Sequence, residues 1–441
     1  AAERDRAECG DDDGAAYPWS QPSQFSRNYA PAGFDRTHVA QMGFVYEIPF
    51  MKTSTSPVAY VFKDWQVNGI FSAVPATKLG SIAIVEALKR AHVPPNQVDA
   101  VYMGCVLSAG LGQAPARQAS IGAGIPQSVG AVTVNKVCGS SIQTVIMATH
   151  AIALGEAKIV VAGGMENMTR APYLLENARQ GYKLGHKDLV DSLIKDGLWD
   201  VYNNFHMGDG GELCASKYRL TRQQVEDFAL ESYRRAREAM ASGAFKREIV
   251  PVDVPQRKGP AVRVSDDEEP NRAELRKMRD LKPAFQENGI LTVGNSPSCN
   301  DGAAALLIMT QGEAARLGLT PMARIVGYAG AALAPEWFTI APIEAIKRVL
   351  KQTGLTIGDI DLYEINEAFS AVSLAINREL GLDDKKVNVN GGAVALGHPI
   401  GATGARILTT LLHAMEARGA RRGLASLCIG GGEALAMIVE R

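Results

Sequence analysis

Apolar and polar positions keep two different rhythms along most of the chain. In "LGSIAIVEALKRAHVPP" (79–95) apolar residues recur every three or four positions, the spacing of a helix, and two prolines close the run. "DAVYMGCVL" (99–107) and "AKIVVAGG" (157–164) are short, β-rich runs instead. Helical stripes alternating with such runs predict an α/β architecture. Between about 168 and 299 the alternation lapses. Charged helical segments such as "TRQQVEDFALESYRRAREAMASG" are joined there by Pro- and Gly-punctuated loops, an insertion expected to cover something. From "ARIVGYAG" (323–330) the alternation resumes and runs to the end. Residues 1–42 are rich in Pro, Ser, Asp and Tyr without a sustained period, and are expected to be largely unstructured.

The pattern also echoes itself. "AKIVVAGGMENM" (157–168), a strand closing in a double glycine, is matched by "GLASLCIGGGEALAMIV" (423–439). "VTVNKVCGSSIQTVIMATHAIALG" is matched by "VNVNGGAVALGHPIGATGARILTTLLHAM": a Val-Asn strand, a loop, then a helix. Two related halves would each need the other to bury a sheet face.

"AVTVNKV" (131–137) reads as a strand and "GSSIQTVIMATHAIAL" (139–154) as a helix with a buried stripe that Gly155 stops. Cys138 therefore stands at or just before a helix N-terminus, where free N–H groups and the dipole are expected to lower a thiol pKa. Its bland alternative is a buried structural cysteine. His398 lies in a glycine-dense loop, "NGGAVALGHPIGATGAR" (390–406), that leads into a helix. The glycine spacing there fits neither a dinucleotide fingerprint nor a Walker loop, so the loop is read as backbone made to approach a ligand closely, or as a plain loop around a satisfied histidine. Cys428 ends a strand before three glycines, as a core thiol or a proton carrier. Asn366, between a strand and a helix, is either an N-cap or an orienting amide. One thiol near an imidazole fits covalent acyl chemistry. Two thiols, an imidazole and free glycine N–H groups fit acyl transfer in which a carbanion is also made.

Composition narrows the rest. The 441 residues allow two to three domains, and a formal net charge of −1 provides no global field to recruit nucleic acid or an anionic membrane. No apolar run approaches the ~20 residues of a membrane span. The six cysteines are scattered without a CxxC pair, against a metal site or disulfide framework and in favour of a reducing compartment. The polar, acidic first residues lack an initiator methionine and are expected to be a mobile tail or a processed end. "IVER" at the C-terminus is no peroxisomal tripeptide.

"NKVCGSS", "VAGGMENM", "NEAF", "GGAVALGHPIGATGAR" and "CIGGG", in this order and spacing, resemble the thiolase family over roughly residues 75–441. "PATKLGSIAI", "GQAPARQA", "DGLWDVYNNFHMG" and "FTIAP" resemble its mitochondrial, acetoacetyl-CoA-cleaving branch. The resemblance implies two similar α/β halves in five α-β-α-β-α layers, with residues 43–167 and 300–320 in the first half, a coenzyme A-binding loop domain over 168–299, and 321–441 in the second half. It makes Cys138 the acetyl-carrying nucleophile, His398 its base, and Cys428 the acid/base at the acetyl-CoA methyl group. Asn366, through a water and with His398, forms one oxyanion hole; the N–H groups of Cys138 and Gly430 form the other.

For coenzyme A the matching positions are Tyr233, Arg272, Ala273, Glu274 and Lys277, with His206 and Met207 at the pantetheine and acyl end and Phe338 near the acyl pocket. The basic residues of "NRAELRK" read equally as a solvated helix face. The branch also implies potassium as an activator, held by Tyr233 and by carbonyls at Val293, Gly294, Ser296 and Val394. Acetyl-CoA, acetoacetyl-CoA and CoA are the implied partners, in a mitochondrial homo-oligomer, dimer or tetramer, with no tightly bound cofactor. Rival readings are a broader-chain 3-ketoacyl-CoA thiolase, an acyl-carrier-protein condensing synthase and a non-catalytic acyl-CoA-binding protein. Two departures stand out. Pro297 replaces a serine expected to contact CoA, with Ser298 beside it, and "SPVAYVFKDWQVNGIF" (56–71) lacks the Arg-Thr-Pro turn expected after a first core strand.

Overall fold

The computed structural model describes residues 44–47, 66–69, 74–256 and 259–441. The expectation for residues 1–42 lies outside them. Two four-stranded sheets dominate. In the first half, β3 (Ala100–Gly104) runs parallel to β4 (Gly130–Val134) and to β5 (Ile159–Asn167), and β6 (Asp301–Met309) closes antiparallel on β5. In the second half, β8 (Leu362–Ile365) is parallel to β9 (Arg422–Ile429). There β10 (Glu433–Glu440) lies antiparallel between β9 and β7 (Arg324–Ala332). The chain orders are β6-β5-β3-β4 and β7-β10-β9-β8.

Helices complete five layers. Outside the first sheet lie α1 (Ala76–Arg90) and α2 (Pro115–Gly122); outside the second lie α6 (Ala341–Thr353) and α7 (Ser370–Leu380). Between the sheets, α3 (Ser140–Ala153) packs against α8 (Thr403–Arg418). Ile142, Val145, Ile407 and Leu411 fill this central layer against Val160, Leu427 and Met437 from both sheets. Both helices therefore bury their stripes on two sides, which is why each half needs the other.

The insertion lies over the second half. Its α4 (Met207–Lys217) packs on α7 and on residues 335–340, and its α5 (Arg222–Ser242) packs on α7 and on residues 393–396. Thr221 opens α5 with a reciprocal capping box to Gln224, and Gly243 in the left-handed region closes it.

The two sheets retain different members of one plan. The expected Val-Asn strand before the His398 loop shrinks to one bridge, Tyr363 to Val387, where the first half has β4. Asn388 ends it, with a φ of 46° and its side chain turned onto the backbone of Ile365. Conversely, β7 covers the outer edge of β10, whereas β6 has no strand on its outer edge among the described residues. A groove of about 1340 Å³ runs along β6, lined by Leu79, Leu307, Ile325, Arg406 and His413. Most of the 56–71 stretch lies outside the described residues. Its described part, β2 (Gln66–Gly69), pairs with β1 (Phe44–Glu47), not with β6.

Candidate active site

Between β4 and α3 the chain makes a tight turn out of its own polar groups. Val137 N donates to Asn135 Oδ1 (3.0 Å), and Lys136 N donates to Ser140 Oγ (2.9 Å), whose hydroxyl donates to Val137 O (2.6 Å). Val137 adopts a φ of 46°, a left-handed conformation that a β-branched residue holds only under strain. Cys138 follows it, partly accessible and packed against both Val106 and Ile400. A Cβ on Gly139 would lie 2.4 Å from Ile429 Cδ1, so the turn is pressed against the end of β9 and a larger residue would have to displace that side chain.

From the second half, the 397–402 loop brings His398 to this turn. His398 N donates to Asn300 Oδ1 (2.8 Å). The ring is fixed through Thr403: Nδ1 lies 2.7 Å from its Oγ1, and that hydroxyl donates to Pro399 O (2.9 Å). With its proton committed, Thr403 can only accept from Nδ1–H. The lone pair is thereby assigned to Nε2, which faces Cys138 Sγ at 3.3 Å.

The electrostatics correct one expectation. Burial pushes the Cys138 thiol up to about 12, against the backbone N–H groups of Gly430 and Cys138 that point at its sulfur. Burial, with Arg406 adding to it, lowers His398 to about 3. The N–H groups of Cys138, on the turn, and Gly430, after β9, lower the thiol, but desolvation outweighs them. The resting pair is neutral thiol and neutral imidazole, not a thiolate–imidazolium pair.

Cys428 sits one residue from the end of β9, 1% exposed. Its thiol is held well above the ordinary value, first by burial and next by the charge Cys138 would carry. The two sulfurs thus share one electrostatic environment. Asn366 follows β8, with its N–H donating to Ser426 O (2.9 Å). Both polar atoms of its amide are buried and unpartnered, which a buried amide tolerates only where something else is meant to bind. It caps no helix, since α7 begins four residues later at Ser370. Asn388 frames it, accepting from Ile365 N and donating to Ile365 O, both at 2.8 Å.

The other predicted positions divide. His206 caps α4 by accepting from Gly208 N (3.0 Å) and stacks on Phe285, and burial lowers it to about 4. Met207 and Phe338 are buried in the same core cluster as Cys428; a Cβ on Gly430 would lie 3.5 Å from Met207 Sδ. Tyr233, Ala273 and Val394 are buried together under α5, with Tyr233 OH 3.3 Å from Glu269 Oε1. Val293 and Gly294 lie in the turn after the buried Thr292, and Ser296 Oγ is buried without a partner. Arg272, Glu274 and Lys277 are exposed, with Arg272 paired to Glu268 (3.4 Å) and Lys277 to Glu274 (2.6 Å). They stand apart from the Cys138–His398 centre. Ser298 Oγ turns 3.3 Å from the Asn300 side chain. Asn300, Asn388 and Thr403 were missed from sequence; only Thr403, five residues after His398 in the same loop, carried any positional signal.

Comparison with known proteins finds the relatives of the chain that carries this centre. The family models "Thiolase, N-terminal domain" and "Thiolase, C-terminal domain" match residues 62–312 and 319–441. A third, "Outer membrane beta barrel domain", matches residues 4–81, most of them outside the described residues. An acetyl-CoA acetyltransferase of Cupriavidus necator is 51% identical over 375 residues, 85% of this chain and 95% of that protein. Acetyl-CoA acetyltransferase 2 of Arabidopsis thaliana is 51% identical over 374 residues, covering 84% of this chain and 93% of that protein. The crystal structure of Acat5 thiolase from Ascaris suum in complex with coenzyme A superposes with a TM-score of 0.79 at 43% identity, over 83% of this chain and 94% of that one.

Proposed function

The chain belongs to the thiolase family, and we infer from its two-thiol centre that it is an acetyl-CoA C-acetyltransferase, interconverting two acetyl-CoA with acetoacetyl-CoA and CoA. The observation that carries this reading is His398 Nε2, unprotonated and 3.3 Å from Cys138 Sγ, beside a second buried thiol.

In the cleavage direction Cys138 attacks the 3-keto carbon while His398 takes its proton. Because both groups rest neutral, that transfer accompanies attack instead of preceding it. The N–H groups of Cys138 and Gly430 face the sulfur and are placed to stabilise the oxygen that becomes negative. The C2–C3 bond breaks, and the departing acetyl-CoA enolate takes a proton on carbon from Cys428. A thiol with a raised pKa suits that acid, because it stays protonated until a carbanion forms. Asn366, with its amide unsatisfied, and the imidazole hold the enolate oxygen, directly or through a water. Incoming CoA returns a proton to Cys428 and its sulfur takes the acetyl group, and His398 restores the proton of Cys138.

Met207 packed against Gly430, and Phe338 buried in the same core, support short acyl groups over the broader-chain alternative. The coenzyme would run over the insertion, with Arg272 and Lys277 available to its phosphates at the surface. The test is thiolysis of C4, C8 and C16 3-ketoacyl-CoA. Activity confined to C4 is expected, and strong C16 turnover would overturn the short-chain assignment.

A potassium ion fits the buried cluster around Tyr233. Its hydroxyl and the backbone carbonyls at Val293, Gly294, Ser296 and Val394 would hold the ion, and the adjacent Glu269 carboxylate suits a positive charge. Such a cation would order the base of the insertion. The homo-oligomer reading draws support from β4, an edge strand whose Val132 is 45% exposed.

A further inference from the structure

We propose that Glu166 is a positioning residue that sets the Cys138–His398 separation by clamping the His398 loop to the nucleophile's half. The carboxylate is fully buried at the end of β5. Oε2 accepts from Val106 N (3.0 Å) and from Gly401 N (2.9 Å), and Oε1 accepts from Leu107 N (3.1 Å), with the Cys105 thiol at 3.7 Å. Val106 and Leu107 pack with Cys138, while Gly401 is three residues from His398. One side chain therefore holds backbone from both halves, and its partner Gly401 is 235 residues from Glu166.

The seat of Gly401 leaves no slack. A Cβ on Gly164 would come within 2.1 Å of Gly401 O, and one on Gly104 within 2.6 Å, so the loop lies in a slot cut by the glycines of β5 and β3. Losing an acceptor there leaves the Gly401 N–H unpaired in that slot and loosens the loop that carries His398.

The duplication makes the placement telling. Gly104, the last residue of β3, pairs with Gly164, and Ile365, the last residue of β8, pairs with Ser426. Two residues beyond each partner stand Glu166 and Cys428. The carboxylate thus occupies the register position that holds the second thiol in the other half.

Glu166 also titrates in the working range. Burial raises it to about 7, against its three backbone N–H donors and the Cys105 thiol. The titratable groups that feel it are Cys105 after β3, held neutral by burial, and Cys138 on the nucleophile turn. Protonation below that pH removes acceptor capacity and weakens the clamp.

This role rests on the Cys138–His398 pairing, not on the substrate. The experiment is site-resolved alkylation of Cys138 by iodoacetamide between pH 5.5 and 9, on the full chain and on Glu166→Gln, Glu166→Asp and Gly401→Ala. Gly401→Ala attacks the same contact from the loop, where a Cβ would lie 2.7 Å from Glu166 Oε2. Glu166→Gln and Gly401→Ala are expected to slow alkylation about tenfold at pH 8 and to erase an inflection near pH 7. Thiolysis kcat should fall about 10- to 100-fold with KM for CoA changed less than about threefold, and Glu166→Asp should recover part of it. Folded variants of both kinds that alkylate at the wild-type rate and with the wild-type pH profile would overturn the proposal. Slowed alkylation in a chain that never thiolyses acetoacetyl-CoA would support the clamp and defeat the proposed activity.

Discussion

Cys428 stands near the end of β9 and Glu166 at the matching position of β5; after β8 comes Asn366, and after β3 comes Cys105. Ahead of α3 lies Cys138, and ahead of α8 lies His398. The two halves share three strands in the same order and the helices around them, yet these matching pairs do not carry the same chemistry. The first half supplies the nucleophile and its clamp. The second supplies the base, the second thiol and the unsatisfied amide. Duplication gave two strand ends opening on one seam, and divergence there separated attack from proton handling. Neither half alone can form the new bond.

Separating the two thiols would break this division most sharply. Cys138→Ala should lower thiolysis by at least about 10⁴-fold, since the covalent intermediate is lost. Cys428→Ala should also lose most thiolysis, yet still transfer an acetyl group from acetyl-CoA onto Cys138, because that step makes no carbanion and CoA can leave as a thiolate without the Cys428 proton. Mass spectrometry of the acetylated peptide reads the difference. An acetylated Cys138 absent from Cys428→Ala would show that the roles are not divided between the halves.

Next in size is the matched pair after β8 and β3. Asn366→Ala removes a donor with no other partner and should reduce kcat about 10²- to 10³-fold, the worth of one oxyanion donor. Cys105→Ser, at the equivalent place, should change kcat by less than about threefold. Steady-state kinetics on both variants test whether the amide, and not the position, matters.

Much of this was legible in the chain because it is local. The strand-to-helix junction at Cys138 follows from β-branched alternation giving way to a helical stripe. The insertion shows where that rhythm stops, and the pairing of halves shows in repeated strand-glycine endings. What escaped depends on contacts that no local pattern encodes. Asn300 holds His398 from 98 residues away, and Asn388 uses its amide to imitate a strand partner of Ile365. The direction of the Cys138 shift escaped for the same reason: a place just before a helix is visible in sequence, but the desolvation that decides the shift is a property of the closed seam.

The imidazole offers a finer test of why the second half supplies the base. Thr403→Val leaves Nδ1 without its acceptor and frees the ring to exchange tautomers. A loss in kcat of about 10-fold is expected, with KM for CoA unchanged and with Thr403→Ser restoring the rate. Nitrogen-15 shifts of His398 would report the tautomer directly. A wild-type rate in Thr403→Val would mean that the loop backbone alone holds the ring.

The smallest effect concerns stability, at another matched pair. One residue before Gly104 and Ile365 stand Met103 and Glu364, both buried, so the second sheet carries a carboxyl where the first carries a thioether. Glu364 Oε1 has no hydrogen-bond partner, and burial raises its pKa to about 8, with Glu248 and Glu367 pushing the same way against Arg406. A carboxyl raised in the folded state is native in its neutral form. Its contribution is therefore complete below the unfolded value of about 4.5 and is lost as pH rises through about 8. Thermal unfolding should show Tm of the wild type falling from pH 5.5 to 9, and Glu364→Gln should flatten part of that slope. The gain at pH 9 should be about 2 kcal/mol, and at pH 5.5 about a third of that or less. Glu248, raised to about 8 as well, keeps a residual slope in the variant. An unchanged slope would place the Glu364 proton elsewhere and leave Arg406 as its ionised partner, making this pair of positions alike in burial but not in charge.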